Sequence, residues 1–79
     1  MSTYDVIAQQ DGALTTDILL HPCGRFLRAY DSAAVQINLY TGYILKDVLR
    51  THKMCCLPYY RLAHVMQLMP DFTFKIVDS

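Results

Sequence analysis

The chain is 79 residues long, 53% hydrophobic and 18% charged, which supplies enough apolar side chain to offset the entropy of ordering but no length for a second lobe over a substrate. Seven Lys and Arg balance seven acids, which excludes a whole-molecule field drawing it to polyanions. No apolar run could span a bilayer, and residues 1–10 lack the basic and apolar segments of a secretory signal, so one cytoplasmic domain over residues 1–79, with no membrane partner, is expected.

Residues 4–14 predict a short helix, capped by Ser2 or Thr3, with Tyr4, Ile7 and Leu14 near one face and Gly12 weakening its last turn. The apolar run 17–21 reads as a strand ending at Pro22. Pro22, Cys23 and Gly24 read as a turn into a second strand, 25–30. Alternation there puts Phe26, Arg28 and Tyr30 on one face and Leu27 and Ala29 toward the core. Asp31 or Ser32 caps a helix over 33–40, which Gly42 stops. Strands follow at 43–49 and 53–57, joined through residues 50–52. Pro58 suits the first turn of a third helix, whose buried stripe is expected to be Tyr59, Leu62, Ala63, Met66 and Met69, and Pro70 ends it. Residues 72–77 alternate Phe72, Phe74 and Ile76 against Thr73, Lys75 and Val77, the plainest strand pattern in the chain. The sum is an α/β fold, a mixed β-sheet with three helices packed on it.

Charge is less even than its total. All seven acids are aspartate, and Asp5, Asp11 and Asp17 open the chain without a compensating base. Between Arg25 and Arg61 stand Arg25, Arg28, Lys46, Arg50, Lys53 and Arg61 against Asp31 and Asp47. That distribution fits either a basic patch or an ordinary mixed surface. Three cysteines cannot all pair internally, and adjacent Cys55 and Cys56 point to opposite faces of a strand, so reduced thiols are expected. His21, His52 and His64 stand apart with no ligand spacing, so no metal and no cofactor is expected. No Gly-x-x-x-x-Gly-Lys-Ser/Thr loop and no nucleophile motif occurs, and the chain is expected not to be an enzyme.

Three segments, DILLHPCGRFLRAYDSAA at 17–34, CCLPYYRLAHVMQLM at 55–69 and FTFKIVD at 72–78, resemble in order and spacing the N-terminal, mismatch-recognition domain of the MutS family of DNA mismatch-repair proteins. Gly24, Phe26, Pro58 and Tyr59 match in place, and most other positions agree in apolar character. The resemblance implies a MutS-like α/β domain and places the family's wedge phenylalanine on Phe26, an aromatic that unstacks a weakened step from the minor groove. The family's glutamate two residues later is Arg28 here. A cation that only donates has replaced an anion that only accepts, and the family's hydrogen bond to the displaced base cannot form.

From this resemblance and the residues together, the candidate nucleic-acid-binding set is Phe26, Arg28 and Tyr30 on one strand face. Arg25, Lys46, Arg50, Lys53 and Arg61 would supply phosphate contacts, and duplex or single-stranded DNA is the partner. The alternative is a protein-interaction or regulatory domain with no DNA role, binding a protein partner or forming a homodimer. An exposed sheet edge and six tyrosines favour that alternative.

Overall fold

The computed structural model describes residues 3–12 and 14–77. The elements are α1 (Thr3–Asp11), β1 (Asp17–Cys23), β2 (Phe26–Tyr30), α2 (Asp31–Thr41), β3 (Leu45–Val48), β4 (His52–Pro58), a 3-10 turn (Tyr59–Arg61), α3 (Leu62–Leu68) and β5 (Thr73–Ile76). The strands make one sheet in the order β3-β4-β2-β1-β5, antiparallel except for the parallel β1–β5 pair. This is the α/β layout, a mixed sheet with three helices, that the periodicities predict. No helix among the described residues is long and apolar enough to cross a membrane.

Alternation along the strands builds two different faces. On one, Ile18, Leu20, Leu27, Ala29, Cys55 and Leu57 meet Ala33, Ala34 and Ile37 of α2, Val65 of α3 and Met69 just after it in the main core. The small Ala33 and Ala34 let α2 sit close to the sheet. α2 stops where Gly42 takes a left-handed conformation (φ 76) and its N–H donates to the Asn38 carbonyl, a backbone geometry that glycine adopts at least cost. On the other face α1 covers only one end of the sheet, where Val6, Ile7 and Tyr30 pack with Val48 and Met54.

A buried glutamine fastens α1 there. β2 turns into α2 after Tyr30, so Asp17 and Leu19 of β1 have no partner strand on that side. The Gln10 side chain fills the gap, donating to the Asp17 carbonyl and accepting from the Leu19 N–H, both at 3.0 Å. Its amide thus extends the β1–β2 ladder by one step and satisfies two backbone groups that burial would otherwise penalise.

Several local expectations are corrected. β1 runs through Pro22, which pairs with Leu27, and the turn is Gly24 and Arg25. The missing Pro22 N–H is harmless because it faces the side where β5 has already ended. Asp31 is not a side-chain cap. It has φ 48, and its carboxylate accepts from the Lys53 N–H and bonds His52 Nδ1, each at 3.0 Å, pinning the β2–α2 corner to β4. α1 ends at Asp11, leaving Leu14 exposed outside it, and Tyr4 is exposed too. The proposed cap Ser2 and the helical position at Ala13 lie outside the described residues, and Thr3 is itself helical. Around α3 the inward side is Val65 and Met69, its C-cap, with Leu62 partly buried, while Tyr59, Ala63 and Met66 are exposed. Residues 59–61 form a 3-10 turn, which advances about 120° per residue against 100° in an α-helix, so the stripe slips out of phase.

Candidate nucleic-acid interface

β2 leaves a tight turn at Gly24 (φ 61), and Phe26 and Arg28 then fall on the side of the strand opposite Leu27 and Ala29. Phe26 pairs across the sheet with Cys23 and Pro58, and Arg28 with His21 and Cys56. α1 does not reach this end, so Phe26 is 49% exposed. Cys23, Phe26, Arg28, Lys46 and Cys56 line a shallow depression of about 210 Å³. A second, of about 270 Å³, lies against Phe26, Tyr43, Ile44, Lys46, Cys56 and Pro58. The two share Phe26, Lys46 and Cys56.

Tyr30 beside it raises the Arg28 pKa above the ordinary arginine value, and the sulfurs of Cys23 and Cys56 add to the effect. Arg28 is therefore a permanent cation in the wall of the first depression. The two neighbouring thiols differ from Cys55, which lies in the core, where burial and then the charge of Cys56 push it up to about 11. Cys55 is inert at neutral pH, whereas Cys23 is exposed and Cys56 half-buried.

Among the described residues no carboxylate lines either depression. Asp17 bonds Lys75 at 3.2 Å, Asp31 bonds His52, and Asp47 pairs with Lys53, all toward the opposite end of the strands. The cationic end is widened by the 3-10 turn, because the Tyr59 N–H donates to the Arg25 carbonyl at 2.9 Å. That bond sets Tyr59, Tyr60 and Arg61 beside the β1–β2 turn. The Arg61 guanidinium carbon stands 6.0 Å from the Tyr60 ring centroid, within cation–π range.

Of the eight candidate residues, the structure gathers Phe26, Arg28 and Lys46 at one place and sets Arg25 and Arg61 at its border. Tyr30 is a correction: it shares the face by alternation, but it is buried under α1. Arg50 lies in the β3–β4 turn at the far end, and Lys53 is tied to Asp47 there. Neither belongs to the depression. Sequence reasoning missed Cys23, Tyr43, Ile44, Cys56 and Pro58 as lining groups. The alternation that sent Cys55 inward already implied that Cys56 faces outward.

Among the described residues no group of three or more His, Cys, Asp or Glu is placed to hold a metal ion. No family model, no curated protein and no solved structure matches the chain.

Proposed function

We propose that this chain is a non-enzymatic nucleic-acid-binding domain, similar in layout to the mismatch-recognition domain of MutS, that binds through the uncovered half of its sheet. The observation that carries the reading is the placing of Phe26 and Arg28 side by side on an exposed face with Lys46, with no acid among the described residues of the lining. An aromatic surface flanked by cations offers a stacking platform and phosphate contacts together. With zero net charge, affinity rests on these few contacts and falls steeply with salt. Fluorescence anisotropy with labelled duplex, mismatched and single-stranded oligonucleotides, at low and moderate salt, tests it. Binding weakened by Phe26→Ala and by Arg28→Ala is expected, and the absence of binding to all three ligands removes the reading.

A second reading, a protein-interaction domain or homodimer, is favoured by exposed apolar side chains on the same end, Ile44 at 73% and Tyr60 at 84%. Analytical ultracentrifugation at micromolar concentration separates the two. A dimer broken by Ile44→Asp, with no oligonucleotide bound, supports this second reading.

A further inference from the structure

We infer, resting on the nucleic-acid reading above, that the site takes unpaired bases: two successive nucleotides of a single strand, one in each depression, with the phosphate between them on Lys46.

Three geometric facts carry this. First, Phe26 is not a wedge. Its cross-strand partners Cys23 and Pro58 flank it at the same level of the sheet, so the ring forms part of a platform three strands wide. Three strands span roughly 10 Å, against a minor groove about 6 Å wide, so the platform cannot enter that groove to reach a stacked base. A base that is already unstacked can come down to the ring. Second, the depressions of about 210 and 270 Å³ fall below the roughly 300–1,000 Å³ of pockets that enclose a whole drug-sized ligand. Each suits a single planar ring system, and because Phe26, Lys46 and Cys56 belong to both linings, the occupants are neighbours. Third, Lys46 lies at the junction of the two and Arg28 in the wall of the first. A chain that sets down two rings a nucleotide apart must bring its linking phosphate between them, where the ammonium is. Arg28, which only donates, suits the phosphate or the carbonyl edge of a base.

The test uses the full chain and a fluorescein-labelled thymidine strand of about 12 nucleotides, long enough for a site of this kind, beside a duplex and a single-mismatch duplex of equal length. The strand is expected to bind at least about tenfold tighter than either duplex, and Phe26→Leu, which keeps the residue apolar but removes the ring, to weaken it about tenfold. Lys46→Ala is expected to reduce the slope of log K against log salt by about 0.7, the loss of one phosphate contact on a single strand. A chemical footprint gives an independent readout: the strand should slow alkylation of Cys23 and Cys56 by N-ethylmaleimide, with buried Cys55 unreactive throughout, and circular dichroism verifies that each variant is folded. Equal or tighter binding of either duplex overturns the inference and leaves the nucleic-acid reading standing. Single-strand binding that is indifferent to Phe26→Leu and leaves both thiols unprotected overturns the site. Failure of every oligonucleotide to bind removes both.

Discussion

Phe26 and Tyr30 stand four positions apart on one strand and point to the same side of the sheet, yet Phe26 is 49% exposed and Tyr30 4%. The difference is α1. It crosses one end of that face, burying Tyr30 with Val6, Ile7 and Met54, and stops short of the other, where Phe26, Arg28, Cys56 and Lys46 stay open. The covered end also gathers the ion pairs of Asp17, Asp31 and Asp47, while among the described residues the depressions at the open end are lined by cations without carboxylates. One end of the face contributes stability, and the other is left open to solvent.

If that division is right, neighbouring residues of β2 should behave in opposite ways. Leu27 is fully buried in the main core, and Leu27→Ala should cost about 3 kcal/mol in urea unfolding from lost burial and the cavity left behind. Phe26→Ala, one residue away, should cost less than about 1 kcal/mol while removing most oligonucleotide binding. Equal destabilisation by the two would show that Phe26 is a core residue and erase the contrast.

A somewhat smaller effect belongs to Gln10. Gln10→Leu fits the buried space but leaves the Leu19 N–H and the Asp17 carbonyl without partners, and should cost about 2 kcal/mol. Because α1 does not touch the open end, binding by the folded variant should be unchanged. Hydrogen exchange at the Leu19 amide would locate the damage, and protection equal to that in the parent would refute the role of Gln10.

These cases also mark what could be read from sequence. Period-two patterning assigned Leu27, Ala29 and Cys55 inward and Phe26, Arg28 and Cys56 outward, because alternation is a property of the strand itself. It could not tell that Tyr30 is covered, since that depends on where α1, a helix with no clean apolar stripe, comes to rest. Nor did composition reveal Gln10, a polar residue that reads as surface until β2 is seen to turn away and leave a gap of its size. Asp31 had the sequence signature of a cap, but its carboxylate is taken up by His52 and Lys53, a bond across 21 and 22 residues that no local rule contains. The slip in α3 came from the 3-10 turn at Tyr59–Arg61, which Pro58 concealed by resembling a helix start.

His21 offers a pH-dependent version of the same comparison. It is buried, its ring lies 5.8 Å from that of Tyr30, and neither ring nitrogen has a hydrogen-bond partner among the described residues. Burial lowers its pKa. A histidine depressed in the folded state takes its proton first in the unfolded chain. Its stabilising contribution is therefore whole above about pH 6.5 and lost as the pH falls below that value. Urea midpoints measured down to about pH 5 should fall for the parent and fall less for His21→Phe, which replaces one buried ring by another. Parallel pH profiles would mean that the imidazole finds a partner in solution.

The smallest effect lies at the tip of the covered end. Leu49 and Arg50 both have positive φ, 47° and 69°, in the turn between β3 and β4. The left-handed conformation costs an L-residue about 1–2 kcal/mol, and glycine avoids that cost while losing about 0.5–1 kcal/mol through its freer unfolded chain. Arg50→Gly should accordingly stabilise the fold by about 0.5 kcal/mol. It also removes a cation, and this makes it the sharper control for the site. Arg50 lies exposed in the turn between β3 and β4 and outside both linings, where solvent and salt screen its charge. Binding and its salt slope should stay as in the parent, whereas Arg28→Ala should reduce both. A loss of affinity in Arg50→Gly equal to that in Arg28→Ala would mean that the far end is also part of the binding surface, and the division of the face by α1 would no longer describe the protein.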